Sequence, residues 1–213
     1  MQSVQEATHS DCIDGNVPSG MHICLIYSDE SERRKTVSEF VKAGLVADEC
    51  VGCFLNDMPP SGQPNWLDDA ISSARQQKRE DQLTVRPGEE AYFPHGEFVP
   101  AEMLDTIRDF CLNAIDHGFS GARITGDAGF VLKDIPGTEH FLGYEWRVND
   151  LLQEYPATIL CQYDANLFDG GTLYDVLRIH PMMIIHGQIV HNPCYNAPPA
   201  AQPTSIRTGQ SVR

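Results

Sequence analysis

The feature that most constrains this chain is a regular alternation of short apolar runs with amphipathic segments. Residues 21–27 (MHICLIY), 50–55 (CVGCFL) and 158–163 (TILCQY) are apolar over six or seven positions. Runs of this length suit strands buried on both faces. Segments with helical periodicity, such as 32–44 and 141–155, separate them. The alternation predicts an α/β fold with a mainly parallel sheet and helices on both faces.

The same patterns define the other elements and the limits of the folded domain. The last helix should end before His180-Pro181, because a residue that precedes proline leaves the helical region. We expect a flexible arm at 1–20, a folded domain at 21–195 and a disordered, proline-containing tail at 196–213. Further strands are predicted at 82–86, 121–125 and twice within 182–190 around His186-Gly187, and further helices at 66–77, 102–117 and 172–179.

Composition excludes several classes of protein. The 30 acidic residues outnumber the 15 basic ones, so the formal charge is -15 and a broad basic face for nucleic acid is not expected. No apolar run reaches the roughly 18–20 residues of a membrane span, and the first residues lack a secretory signal. These features predict a cytoplasmic protein without membrane partners. Seven irregularly spaced cysteines predict reduced thiols, including the strand pair Cys50 and Cys53.

The segment from the first strand into the first helix has two interpretations. A strand, a turn and Lys35-Thr36 at the start of a helix are similar to a phosphate-binding P-loop. The loop has no glycine and carries Asp29, Glu30 and Glu32, whose carboxylates would repel a polyphosphate. Either this is a degenerate P-loop with nucleotide ligands Lys35 and Thr36, or the acidic residues simply favour the helix N-terminus.

His22 and Cys24 form a candidate metal or ligand site together with Cys161. Residues i and i+2 of a strand share a face, so His22 and Cys24 point the same way. If the strand that carries Cys161 is a neighbour, the three side chains converge on a metal or small ligand. The alternative is that the cysteines are core residues and His22 is hydrogen-bonded. No metal or cofactor is assigned from the sequence.

Polar and aromatic residues near the ends of the later strands predict a second, larger site. Ligands of parallel sheets bind at the carboxyl ends of the strands. Alternatively, Arg123 forms a structural ion pair with Asp127 or Glu145. No catalytic dyad or triad is recognisable, so no catalytic residue is predicted. The predicted pocket comprises Arg123, Asp127, Tyr144, Glu145, Asn149, Gln162, Tyr163 and Asp164.

An ordered series of short motifs resembles the MEDS domain, a methanogen/methylotroph, DcmR-type sensory domain. The motifs are MHICLIY, ARITGDAGFVL, GYEWRVNDLL, ILCQYD, DVLRIHP and HNPCYNAPP. The resemblance covers about residues 21–199. It implies a three-layer, RecA/KaiC-like fold with a degenerate P-loop, and a prokaryotic signalling role. Ligand-site positions implied by it, beyond those already named, are Tyr27, His180, Asn192 and Tyr195.

The resemblance also implies ligands and partners. Such domains are proposed to sense small hydrocarbon derivatives, for example halogenated or methylated compounds. We expect a stand-alone sensor that acts through a histidine kinase or a DNA-binding regulator. Two alternatives remain open at this stage: a weak nucleotide-binding or ATPase protein, and a ligand-free interaction module.

Overall fold

Strands and helices alternate along the chain in the computed structural model, which describes residues 20–56, 58–59, 62, 64–68, 71–72, 79 and 81–196. The predicted arm and tail therefore lie almost entirely outside the described residues. The elements are β1 (His22–Tyr27), α1 (Glu30–Val46), β2 (Cys50–Leu55), β3 (Leu83–Pro87), α2 (Gly88–Tyr92), α3 (Pro100–Asp116), β4 (Ala122–Asp127), α4 (Phe141–Glu154), β5 (Ala157–Asp164), α5 (Gly170–Ile179), β6 (Met182–Ile185) and β7 (Gln188–His191).

One seven-stranded sheet organises these elements, in the order β3-β2-β4-β5-β1-β6-β7. All neighbouring strands are parallel except β6 and β7, which form an antiparallel hairpin. His186 and Gly187 both have positive φ in the turn of this hairpin, as a tight two-residue turn requires. The first and fifth strands are thus direct neighbours at the centre of the sheet.

The two faces of the sheet carry separate hydrophobic cores. Side chains of α3, α4 and α5 pack on one face, for example Ile107, Val148 and Val176. Helix α1 packs on the opposite face with Val37 and Phe40. Alternate residues of each strand point to opposite faces, which makes the central strands apolar on both sides. The result is the three-layer α/β arrangement that the sequence predicts.

Local sequence explains where the helices begin. The Asp29 side chain accepts a hydrogen bond from the backbone N–H of Glu32 at the start of α1. Asp169 does the same for Gly171 and Thr172 at the start of α5. Both residues satisfy amide groups that lack a partner inside the helix.

The order of the predicted elements is confirmed, with some corrected boundaries. Helix α1 does not end at Gly44 but continues to Val46, and Gly44 instead allows close packing. A Cβ atom there would lie 2.7 Å from Cδ of Arg123. Helix α2 and the 3-10 turns Ala128–Leu132 and Thr138–His140 were not predicted. The predicted helix at 66–77 starts in a 3-10 turn, Asn65–Leu67, and then lies mainly outside the described residues. No described helix has both the length and the apolar character needed to cross a membrane.

Candidate functional site

Four titratable side chains meet between the sheet and the layer formed by α4 and α5. We call His22, Glu145, Cys161 and His180 the buried cluster. One nitrogen, oxygen or sulfur atom from each lies within 4.8 Å of the others. All four residues are buried, and none is more than 8% exposed. Buried polar groups at this density need partners, because each one has given up its hydration.

Strand pairing brings two members of the buried cluster together. Strands β1 and β5 are parallel neighbours in a register that pairs His22 with Ile159 and Cys24 with Cys161. Because side chains alternate, His22 and Cys161 emerge on the same face. Nε2 of His22 lies 3.4 Å from Sγ of Cys161. The predicted convergence of these two residues is therefore present in the structure.

Helices α4 and α5 supply the other two members. Glu145 lies on the inner face of α4, and His180 caps the C-terminus of α5 just before β6. Oε2 of Glu145 lies 3.0 Å from Nε2 of His22 and 3.3 Å from Nε2 of His180. The same oxygen lies 3.5 Å from Sγ of Cys161. One carboxylate oxygen of Glu145 thus lies within 3.5 Å of both imidazoles and of the thiol.

A second layer of contacts fixes both imidazole rings. Nδ1 of His22 lies 3.2 Å from Oδ1 of Asn149, whose Nδ2 donates to the carbonyl of Ile179 at 3.1 Å. Nδ1 of His180 lies 2.8 Å from the carbonyl oxygen of Val176. Nδ1 of each ring thus faces an acceptor oxygen and Nε2 of each ring faces Oε2 of Glu145, so both imidazoles are held at both nitrogens.

The ionisation of the cluster follows from burial. Burial lowers the pKa of His22 to about 4, helped by His180 and opposed by Glu145. Burial alone would raise the pKa of Glu145, but its contacts with His180 and His22 outweigh that effect and lower the pKa to about 2. Burial and the neighbouring Glu145 raise the pKa of the Cys161 thiol well above its ordinary value. At neutral pH we therefore assign a neutral His22, a carboxylate at Glu145 and a thiol at Cys161.

An apolar pocket lies beside the buried cluster. Tyr163, which points to the same face of β5 as Cys161, is part of its lining. The pocket has a volume of about 350 Å³. Tyr163 is fully buried, and its ring packs edge-on against His180 with centroids 5.8 Å apart. Its hydroxyl has no hydrogen-bond partner among the described residues. The apolar pocket is lined by Val131, Leu132, Thr138, Glu139, Phe141, Leu142, Tyr163, Phe168, Thr172 and Val176.

The polar pocket predicted from the sequence is divided by the sheet. Arg123 lies on the face that α1 covers, where its Nε donates to Glu49 Oε2 at 2.5 Å. It pairs with neither Asp127 nor Glu145, so the expected ion pairs were wrong. Gln162 points to this same face, away from Cys161 and Tyr163, because it alternates with them along β5. Its Oε1 accepts a hydrogen bond from NH1 of Arg33 at 3.0 Å.

Tyr27 also lies on the α1 face, whereas Asp127 and Asp164 lie at the ends of β4 and β5. The guanidinium of Arg33 lies 5.7 Å from the ring of Tyr27. Asp127 accepts a hydrogen bond from the N–H of Gly129 and caps a 3-10 turn. Asp164 accepts from the N–H of Asn166 in the turn after β5. The structure does not bring these three residues into the buried cluster.

The remaining predicted residues lie outside the cluster. Sγ of Cys24 lies 3.7 Å from the carbonyl of Met182. Tyr144 packs edge-on against Phe98 in the aromatic core, with centroids 5.4 Å apart. Asn192 donates to the carbonyl of His180 at 2.8 Å and so holds the chain that carries this imidazole. Tyr195 packs against Trp146, at 6.3 Å between ring centroids.

Comparison with known proteins identifies the family. The profile of the MEDS domain, described as "MEthanogen/methylotroph, DcmR Sensory domain", matches residues 21–181. The chain belongs to this family. The MEDS match contains all four residues of the buried cluster and the whole lining of the apolar pocket. By family, this chain is a sensory domain of signalling and regulatory systems.

A curated relative of this MEDS domain is the transcriptional repressor DcmR of Methylorubrum extorquens. The two are 28% identical over 179 residues, which cover 84% of this chain and 64% of the repressor. The chain thus spans less than two thirds of the length of that relative.

Solved structures show that the MEDS domain has a RecA/KaiC-like fold. The flagellar accessory protein FlaH of Methanocaldococcus jannaschii superposes with a TM-score of 0.56 at 11% identity, over 88% of this chain and 82% of that one. The KaiC-like protein PH0186 of Pyrococcus horikoshii gives 0.51 at 12% identity, over 80% and 72%. The uncharacterized protein PH0321 of the same organism gives 0.52 at 16% identity, over 82% and 83%.

The turn where a P-loop would lie is short and acidic in this MEDS domain. Only Ser28 and Asp29 separate β1 from α1. Asp29 itself accepts from the N–H of Glu32, one of the amide groups at the helix start that a phosphate would use. Lys35 is exposed and Thr36 is buried in the second turn of α1. Nucleotide binding through these two residues stays a prediction.

Sequence reasoning missed the roles of two groups of residues. Glu145 and His180 were named for other reasons and not joined to His22 and Cys161, because their contact depends on how α4 and the end of α5 pack on β1 and β5. The apolar lining of the pocket was missed because the 3-10 turns Ala128–Leu132 and Thr138–His140 leave no periodic pattern. The run AGFVL directly after β4 was the available signal, since ligands bind where parallel strands end.

Proposed function

We propose that this MEDS domain senses a small, largely apolar molecule in the apolar pocket and passes the signal to a regulatory partner. The observation that carries the proposal is the position of this pocket against Tyr163 at the end of β5. A volume of about 350 Å³ lies at the small end of the range for small-molecule sites. Halogenated or methylated hydrocarbon derivatives are small and apolar enough to enter such a pocket.

The lining suits a ligand with an apolar body and little polar character. Phe141, Leu142, Phe168 and Val176 supply apolar surface, and Thr172 supplies a hydroxyl. Burial of apolar ligand surface contributes about 25 cal/mol per Å². A ligand of a few heavy atoms would therefore bind weakly, which suits a reversible sensor of an abundant compound.

A ligand in this pocket would contact the elements that cover it. The pocket lies between the segment after β4 and helix α5, and Leu132 on that segment is 49% exposed. A ligand that binds one arrangement of these elements better than another shifts the population toward it. We propose that the shift changes a surface recognised by a histidine kinase or a DNA-binding regulator.

Binding of dichloromethane as an apolar probe tests this proposal. We expect saturable chemical-shift changes in the methyl signals of Val131, Leu142 and Val176 on titration. Leu142→Phe should fill the pocket and weaken the response at least tenfold. The matched variant Leu112→Phe alters a 41% exposed leucine on α3 and should leave the response unchanged.

Two outcomes would contradict the proposal. One is a non-saturable response spread over the whole methyl spectrum, which indicates unspecific partitioning of the solvent. The other is equal affinity of the wild type and Leu142→Phe, which removes the pocket as the binding site.

A further inference from the structure

We propose that the buried cluster binds one divalent transition-metal ion of the zinc class, with His22, Glu145, Cys161 and His180 as ligands. This site is independent of what occupies the apolar pocket. Its evidence is the convergence of the ligand atoms, the distances between them, and the charge of the site.

Four possible ligand atoms converge at one buried point. Nδ1 of each histidine faces an oxygen of Asn149 or Val176, and Nε2 of each faces Oε2 of Glu145, at 3.0 and 3.3 Å. Sγ of Cys161 lies 3.5 Å from the same oxygen. A buried nitrogen, oxygen and sulfur donor set that faces one point is the arrangement that a coordinated cation requires.

The spacing of the donor atoms is close to that of a tetrahedral zinc site. Bonds of roughly 2.0–2.3 Å to nitrogen, oxygen and sulfur in a tetrahedral zinc site place neighbouring ligand atoms about 3.3–3.6 Å apart. The separations that involve Glu145 Oε2 are 3.0, 3.3 and 3.5 Å, and His22 Nε2 lies 3.4 Å from Cys161 Sγ. These four separations lie close to that range, and all four donor atoms lie within 4.8 Å of one another.

A bound divalent ion would balance the charge of the buried cluster. One divalent ion, one carboxylate and one thiolate sum to zero, and neutral imidazoles add nothing. A neutral site avoids the large cost of an isolated charge in a low-dielectric interior. The ion would lower the pKa of the Cys161 thiol by direct bonding, as metals do for coordinating thiols.

A second layer of hydrogen bonds fixes the histidine ligands. Metal-bound histidines commonly donate their other N–H to a carbonyl, amide or carboxylate oxygen, which fixes the ring. His22 meets this condition through Asn149 and His180 through Val176. Asn192 also holds the backbone of His180 in place. The donor set of imidazole, thiolate and carboxylate suits Zn²⁺ and Co²⁺ and disfavours Mg²⁺ or Ca²⁺.

Cobalt(II) titration of the full chain, purified and stripped with a chelator, tests the assignment. We expect one Co²⁺ per chain, with visible absorption typical of four-coordinate cobalt and a near-ultraviolet thiolate-to-cobalt band. Zn²⁺ should displace the cobalt and remove both signals, because zinc binds such sites more tightly. The ligand binding of the apolar pocket is read separately by methyl chemical shifts, so the two proposals fail independently.

Two matched cysteine variants locate the site. Cys161→Ser should lose the thiolate band, whereas Cys24→Ser should keep it, although Cys24 is the strand partner of Cys161. His180→Asn should weaken cobalt binding at least tenfold, and His186→Asn in the exposed hairpin turn should not. Circular dichroism of each metal-free variant confirms that it folds.

Three results would overturn the proposal. The first is no cobalt binding by the folded wild-type chain. The second is a thiolate band that survives Cys161→Ser and disappears with another cysteine. The third is unchanged cobalt affinity in the folded His180→Asn variant.

Discussion

Asn149 orients the imidazole of His22 from the adjacent helix. Its Oδ1 lies 3.2 Å from Nδ1 of His22, and its Nδ2 donates to the carbonyl of Ile179 at 3.1 Å. Since the amide nitrogen is engaged with a carbonyl, only the amide oxygen is free to face the ring. One side chain on α4 therefore ties together β1 and the end of α5.

Removal of this amide should weaken metal binding without removing a ligand. We expect Asn149→Ala to lower the affinity for Co²⁺ about 10–100-fold, the range typical of second-layer partners of metal-bound histidines. Competition with a chromophoric chelator measures the change. Asn113→Ala, an exposed asparagine on α3, is the control and should retain wild-type affinity. Equal affinity in both variants would remove Asn149 from this role.

Replacement of Glu145 by glutamine should separate metal binding from stability of the metal-free fold. Glu145→Gln keeps the shape of the side chain but removes the negative charge that a divalent ion needs for a neutral site. We expect Zn²⁺ to raise the Tm of wild type and to raise that of Glu145→Gln much less. Calorimetry in chelator and in Zn²⁺ compares the two, with the exposed Glu154→Gln of the same helix as control. An equal rise in wild type and Glu145→Gln would remove Glu145 as a ligand.

Arg123 should contribute to stability and not to the candidate sites. Its guanidinium pairs with Glu49 and lies 4.9 Å from the ring of Phe40, on the face opposite the buried cluster. Arg123→Ala leaves a buried carboxylate without its partner, which typically costs about 3–5 kcal/mol. Denaturant unfolding measures this loss. Arg108→Ala, from an exposed pair with Asp105, should unfold like wild type.

Cobalt affinity of Arg123→Ala is the second readout. We expect the wild-type value as long as the variant is folded, because the sheet separates Arg123 from the cluster. A selective loss of cobalt or dichloromethane binding in the folded variant would instead support the pocket predicted from the sequence.

The sequence was sufficient to predict the layers of this fold. Mainly apolar runs of six or seven residues, such as CVGCFL and MHICLIY, have the right length for strands that are buried on both faces. Proline and turn residues located the C-terminal hairpin, where His186 and Gly187 adopt positive φ. These signals are local, so a single sequence contains them.

The candidate site could be predicted only in part, because strand order is not local. His22 and Cys161 share a face by alternation, but their contact requires β1 and β5 to be neighbours across 139 residues. Arg123 was assigned to a pocket since it lies near a strand end, yet its side chain points to the α1 face. Which face a strand residue takes depends on the packing of distant helices.

Nucleotide should not stabilise this protein if the acidic turn controls the start of α1. Asp29 already accepts the N–H of Glu32, and the side chains of Glu30 and Arg33 pair within the first turn. We expect no change in Tm with millimolar Mg-ATP. Binding at 100 times Kd would add about 2.7 kcal/mol and be plainly visible. A rise in Tm that Lys35→Ala removes would instead support the nucleotide-binding alternative.

Alanine in place of either of two glycines near the apolar pocket should change the free energy of unfolding, in opposite directions. Gly137 has a φ of 89° in the turn before α4, and a Cβ atom there would overlap the carbonyl of Phe98. Gly143 lies exposed within α4, and a Cβ atom there would meet nothing within 4 Å. Alanine is favoured over glycine in helices by about 1 kcal/mol. Gly137→Ala should therefore lower the free energy of unfolding and Gly143→Ala should raise it slightly.

Chemical denaturation of both variants under identical conditions measures this difference. Because Leu132 and Thr138, on either side of this turn, line the apolar pocket, Gly137→Ala should also weaken dichloromethane binding by displacing the covering segment. Gly143→Ala should leave that binding unchanged. Equal stability of the two variants would show that the turn at Gly137 relaxes freely, and it would remove this turn as a fixed wall of the pocket.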